Sequence, residues 1–305
     1  MTSNDTLREG LLRTRVGEPG GLRTPQKLMI FVLSMSLFGL SNIILEVIPD
    51  ISIGPVDISV SYFVFVPLVM VALFSPFWAA IGAPLGEIVF TDLLMGDFSG
   101  LAEVEGFIQM ALALYIAGSL IRDPRRVGQI WMGAITVVVV DKFLSAAVDL
   151  AKVWVGVEDA EFVEGLPQSI LLLEGIGFGV DILISGILFG AIPAMYLIPA
   201  LHGKIEPLLG LRPRMPGERV PGAGGTWFIV LAVLLSVASF LFAFLEAWDM
   251  SVGSVDAELR ETYGDGMLWI SVALLVALLI ATVLVARWRA RRREHQGAGS
   301  AERDA

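Results

Sequence analysis

The sequence predicts an all-α polytopic membrane protein with eight transmembrane helices, a six-helix core followed by a C-terminal helical hairpin. Three observations carry that prediction. The chain is 55 % apolar over 305 residues, and the apolar residues fall in runs of about 20, the length that crosses a bilayer. Its basic residues collect in alternate connections between those runs, and all seven tryptophans fall at predicted helix ends, where the membrane interface favours amphipathic rings.

Residues 1–27 are mostly polar and hold the turn-rich tract Glu18-Pro19-Gly20-Gly21, so they read as a cytoplasmic tail. The membrane core follows over 28–200. Helix 1, Leu28 to Val47, is too long for a secretory signal and has no small-residue cleavage site, so it stays attached. The loop after it, IPDISIGPVDISV, carries acids and no base. Helix 2 runs from Ile58 to Phe74 and is short, with Pro67 inside it. Ser75-Pro76 leaves room only for a tight hairpin into helix 3, Phe74 to Gly96. Helix 3 exits into the acidic stretch GDFSGLAEVEG, and helix 4 spans Phe107 to Ile121 before RDPRR. Helix 5 covers Gln129 to Val155 and helix 6 covers Ser169 to Pro199.

A Pro/Gly-rich basic connection, 201–225, is expected to form a cytoplasmic linker. The two-helix hairpin, 226–286, contains helix 7 (Trp227 to Leu245) and helix 8 (Met267 to Val285), and 287–305 is a basic cytoplasmic tail. With the N-terminus inside, 18 of the 21 lysines and arginines lie on the cytoplasmic side. The positive-inside rule thus predicts a multi-pass protein of the cell membrane with both termini cytoplasmic.

Helix 3 has a composition that lipid alone would not tolerate. It places Pro84, Glu87 and Asp92 inside an apolar run, and a carboxylate near mid-membrane costs about 2.5–3.5 kcal/mol on insertion scales. Ala79 and Ala83, and Gly82 and Gly86, recur at four-residue spacing. That pattern predicts a helix packed closely against protein.

At about 100° per residue, Asp141, Lys142, Ser145, Asp149 and Lys152 form one stripe on helix 5, and Glu174, Asp181 and Ser185 another on helix 6. By depth, Asp149 and Glu174 would form an outer layer and Asp141 and Asp181 an inner one, with Glu87 between. Six carboxylates then face two lysines, an excess that calls for protonation, pairing or a wet cavity. Interhelical pairing of Asp141, Asp149 and Asp181 with the lysines is the structural alternative. The helix-6 glycines, EGIGFGVD with Gly186 and Gly190, read as close-packing positions rather than a phosphate loop, because no strand precedes them.

The chain has no cysteine, and its two histidines, His202 and His295, lie in predicted connections, so no metal site or cofactor is expected. No nucleophile–base arrangement marks an enzyme. No Walker motif marks an ATPase, and no nucleic-acid partner is expected.

The six-helix core with its cytoplasmic N-terminus, and above all the hairpin FVPLVMVALFSPFWAAIGAPLGEIVFTDLLMGD, resembles the substrate-binding S component of energy-coupling-factor (ECF) transporters. The resemblance implies capture of a micronutrient near the outer face, with partners that are ECF-type transmembrane and ATPase subunits. It implies a site under the loop around Asp57, involving Asp149, Trp154 and Glu174. Together with the acidic stripes, the expected substrate-binding set is Glu87, Asp141, Asp149, Lys152, Trp154, Glu174 and Asp181, and the acid excess points to a cationic or amine-bearing small molecule. A proton- or cation-coupled secondary transporter using Glu87, Asp141 and Asp181, and a scaffold without ligand, are the competing expectations.

Overall fold

The computed structural model describes residues 22–45, 51–53, 56–58, 60–95, 98, 100–155, 168–217 and 226–247. The segments 1–21 and 248–305, which include predicted helix 8 and the basic tail, lie outside the described residues. Apart from one short ribbon and the connecting segments, the described chain is helical. Helix α1 spans Thr24–Leu45; strands β1 (Ile51–Ile53) and β2 (Val56–Ile58) form an antiparallel hairpin with Ser52 opposite Asp57. Helix α2 is Phe65–Leu73, and α3 covers 76–95, as α-helix over Pro76–Glu87, π-helix over Ile88–Asp92 and a last turn at Leu93–Met95. Helices α4 (Leu101–Leu120) and α5 (Val127–Val155) follow. Helix α6 covers 168–201 and is π-helical over Ile182–Ala191; α7 is Thr226–Ala247.

Four of these helical stretches, Thr24–Leu45, Leu101–Leu120, Gly175–Leu201 and Phe228–Leu245, are long and apolar enough to cross a membrane. The surface of α1 supports that reading. Ile30, Ser34, Phe38 and Ser41 are buried at helical spacing, while Leu28, Val32, Leu37, Leu40 and Ile44 are exposed on the outer face. A helix that is apolar on both its buried and its exposed side is suited to lipid, not to water.

The small residues of α3 bring it against α1 at backbone contact. A Cβ built on Gly82 would meet the Phe31 carbonyl, one on Gly86 the Met35 carbonyl, and one on Gly39 the Gly86 carbonyl. Both helices advance in the same direction through these contacts, so α1 and α3 run parallel with their backbones touching. Ser34 Oγ donates to the Ala79 carbonyl at 2.8 Å across the same seam, and Ala79 and Ala83 are fully buried. The four-residue spacing has the packing role expected of it.

Helix α2 lies at the centre: Pro67 to Leu73 are all buried, and it packs on α1, α3, α4 and α6. At nine residues it rises only about 13 Å, well short of a bilayer. The predicted helix over Ile58–Phe74 is therefore corrected. Its first part is β2 plus non-helical chain over residues 60–64. The predicted start of helix 4 at Phe107 is also corrected: α4 begins at Leu101, immediately after Gly100, whose φ of 80° breaks the chain. Glu103 and Glu105 thus belong to a helix and not to a loop.

The connection 201–225 was expected to be a linker, yet residues 202–217 are folded onto the end of the bundle. Glu206 is fully buried; it accepts from the Gly203 backbone N–H at 2.8 Å and sits 2.9 Å from His202 Nδ1. Gln26 at the foot of α1 donates to the Gly210 carbonyl at 2.8 Å. Arg214 donates to carbonyls of both α2 and α4, at Val71, Phe74, Gly118 and Ile121. One guanidinium therefore satisfies the C-terminal carbonyls of two helices.

Candidate functional site

The site begins in the non-helical chain that leads into α2. Membrane-depth backbone outside a helix is tolerated where it is enclosed by protein or lines a wet cavity. Residues 60–64 are enclosed by protein and contribute to the lining of a cavity. Val64 and Tyr62 are buried, with 0 % and 3 % of their surface exposed, and Ser61 and Tyr62 line a cavity of about 260 Å³.

The walls of the cavity come from three further helices. Helix α3 contributes Pro84, Glu87, Ile88 and Asp92, α4 contributes Glu103, Gly106 and Gln109, and α5 contributes Asp141, Lys142 and Ser145. Four carboxylates thus face one lysine. Acids of α3, α4 and α5 line one cavity. A Cβ on Gly106 would meet nothing within 4 Å, so α4 leaves its side of the chamber open.

Hydrogen bonds fix the floor. Tyr62 OH donates to Asp141 Oδ2 at 2.8 Å, and Ser61 Oγ donates to Asp181 Oδ1 at 2.5 Å. Lys142 Nζ lies 3.8 Å from Asp181 Oδ2 and 5.7 Å from the Tyr62 ring centroid. Asp181 therefore joins the chamber through Lys142 and Ser61 and is not itself a wall. Asp141 and Asp181 are thereby linked through neighbouring residues, Tyr62 and Ser61 on one side and Lys142 on the other.

Two acids occupy special backbone positions. Glu87 immediately precedes the π-helical stretch of α3, and Asp181 immediately precedes that of α6. A π turn widens the helix and re-aims the side chains around it, which is why such turns collect at functional sites. In α3 it follows Pro84, whose missing N–H already weakens the ladder.

Of the remaining predicted residues, Asp149 pairs with Lys152 at 3.9 Å, and Ser145 Oγ is 3.5 Å from Asp149 Oδ2; neither Asp149 nor Lys152 is among the residues that line this cavity. The side chains of Trp154 and Glu174 lie outside the described residues, as does that of Asp57 in β2. Ser185, on the same predicted stripe as Asp181, is fully buried among its neighbours and not on the cavity. The helix-6 glycines divide. Gly186 and Gly190 do pack closely, on Val138 and Val64, whereas a Cβ added at Gly175, Gly177 or Gly179 would meet no described atom within 4 Å.

Sequence reasoning missed Ser61, Tyr62, Glu103 and Gln109. Gln109 Nε2 donates to Glu105 Oε1 at 2.7 Å and to Ser239 Oγ at 3.2 Å, which ties α7 to the core. Among the described residues there is no group of three or more His, Cys, Asp or Glu side chains placed to hold a metal ion.

No curated protein and no solved structure matches the chain. One family model does match, over residues 29–295, and its description is a family of unknown function, DUF8171. Because that match covers nearly all of the sequence, including every helix that lines the chamber, the chain belongs to the DUF8171 family.

Proposed function

We propose that this protein is a multi-pass subunit of the cell membrane that captures a small cationic micronutrient at its outer face, with uptake energised by separate ATPase partners of the ECF type. The chamber is the observation that carries the proposal. Its volume of about 260 Å³ is near the lower end of ligand pockets, about 300–1,000 Å³. Four carboxylates around one ammonium in an apolar bundle are costly when empty, and a bound cation offsets that cost. The cation would sit among Glu87, Asp141 and Glu103, with Tyr62 holding Asp141 in place.

The eight-span count with both termini cytoplasmic belongs to the same proposal. It directs α3 outward and α4 inward, so Asp92 and Glu103 flank an outer mouth, while Arg214 and Glu206 lie at the cytoplasmic end. Because the sequence has no phosphate-binding loop of its own, ATP-driven uptake falls to other subunits.

A second reading, a proton- or cation-coupled secondary transporter, draws on the broken second span and on Glu87 and Asp181 at π-helical junctions, since interrupted helices form ion sites in such transporters. Reconstituted liposomes separate the two. Uptake driven by a proton or cation gradient with the chain alone would establish the second reading. Binding without flux supports the first.

The direct test is mass spectrometry of small molecules retained by the purified protein. A cationic or amine-bearing solute is expected on the wild type and absent from a Glu87→Gln/Asp141→Asn double variant. A retained anion, or no affinity for any amine, would overturn the proposal. Stabilisation of the double variant without loss of any ligand would indicate a scaffold instead.

A further inference from the structure

Lys142 is the basic residue among the chamber walls, yet it pairs with an acid that is not one of them. Its Nζ lies 3.8 Å from Asp181 Oδ2 on α6 and 5.7 Å from the centroid of the Tyr62 ring, whose π face attracts an ammonium. Two consecutive residues of the non-helical segment brace this arrangement. Ser61 donates to Asp181 Oδ1, which leaves Oδ2 to the lysine, and Tyr62 donates to Asp141 Oδ2. A lysine carries its charge on a flexible four-carbon stem, and Glu87 and Asp141 line the same cavity as Lys142.

We infer that Lys142 is a tethered cation that competes with the captured solute for the chamber carboxylates, and that Asp181 is a positioning residue that holds it aside. The inference rests on the capture reading and adds how the affinity of that site is set. The ion pair with Asp181 draws the ammonium away from Glu87 and Asp141, so a cation from outside meets them without it. When Asp181 loses its charge, the carboxylates left to Lys142 are those of the cavity it lines, and the chain's own ammonium takes the solute's place. Removing the charge of Lys142 acts in the opposite sense, because a like charge beside the solute is gone. A purely structural pair between α5 and α6 gives no such reversal, since loss of either partner breaks the same contact.

The test is a double-mutant cycle on the full-length protein in lipid nanodiscs, with propylamine titrated at neutral pH and the bound fraction read by native mass spectrometry. Lys142→Met keeps the stem without the charge and should bind propylamine at least about tenfold more tightly than the wild type. Asp181→Asn should bind it at least about tenfold more weakly, although Asp181 is not a chamber wall. With Lys142→Met already present, Asp181→Asn should change the affinity by less than about threefold, because the cation it positions is absent. Lys142→Gln serves the same cycle if the methionine variant does not fold.

An Asp181→Asn loss of the same size with and without the charge of Lys142 would show Asp181 acting through its own field or through the fold, and would overturn the inference while leaving the capture reading standing. Lys142→Met binding that is unchanged or weaker would overturn it as well, as would an Asp181→Asn variant with wild-type affinity. No propylamine bound by either the wild type or Lys142→Met would remove the capture reading itself, and the inference with it.

Discussion

Replacing Arg214 by alanine should destabilise the whole bundle, although the residue lies in a segment whose composition suggests a flexible connection. Its guanidinium reaches the Val71 and Phe74 carbonyls at 3.2 and 3.0 Å and the Gly118 and Ile121 carbonyls at 3.2 and 2.6 Å. These are carbonyls near the C-termini of α2 and α4, where backbone acceptors lack helical partners and the helix dipole favours a cation. Hydrogen bonds to a charged group contribute about 1.5–3 kcal/mol each. The four are not additive, and water can reach some of the carbonyls once the side chain is gone, so the expected loss is about 2–4 kcal/mol in total. Reversible unfolding in detergent, followed by circular dichroism, measures it. Arg214→Lys should recover less than half, because an ammonium cannot present a planar fork to two helix ends. A loss of under about 0.5 kcal/mol for Arg214→Ala, or full recovery with lysine, would refute the clamp.

Two further perturbations probe the seam and the floor. Gly86→Ala drives a methyl into the Met35 carbonyl and should cost at least about 1–3 kcal/mol as overpacking between backbones, whereas Gly175→Ala, with no described atom within 4 Å of the added methyl, should change detergent stability little; equal effects would contradict the α1–α3 contact. Tyr62→Phe removes the hydroxyl that donates to Asp141 and should lower stability by about 1–3 kcal/mol and weaken amine binding in the same preparation, an outcome that unaltered affinity would exclude.

The parts of this molecule that the sequence made legible are those with a local signature. Gly82 and Gly86 announce a close contact because small residues four apart on an apolar helix can serve little else, and the contact is there. Glu87, Asp141 and Asp181 stand out as acids inside apolar runs, and the structure brings all three to one region. Tyr62 could not be found in this way. The run Val60 to Val66 is apolar and aromatic apart from Ser61, so hydropathy cannot distinguish an enclosed irregular segment from a helix; only the contact with Asp141 reveals it. Glu103 and Glu105 were hidden for a different reason. They stand three and five residues after Gly100 among loop-forming neighbours, and their helix is held by packing against α5 and α3 rather than by any N-cap signal. The role of Arg214 depends on four carbonyls between 93 and 143 residues away in sequence, a distance at which no periodicity carries information.

Because the chain contains no cysteine, a single introduced thiol can report on the chamber directly. Gly106 faces the cavity with open space beside it, so Gly106→Cys should place the thiol inside without displacing a neighbour. Its rate of modification by small, membrane-impermeant thiosulfonates of opposite charge measures both water access and the sign of the local field. An accessible acidic chamber predicts reaction at least about tenfold faster with the cationic reagent than with the anionic one, with most of that difference lost in Glu87→Gln/Asp141→Asn. A thiol that reacts with neither reagent, or with both at the same rate, would contradict the central claim that these carboxylates surround a wet, cation-attracting space.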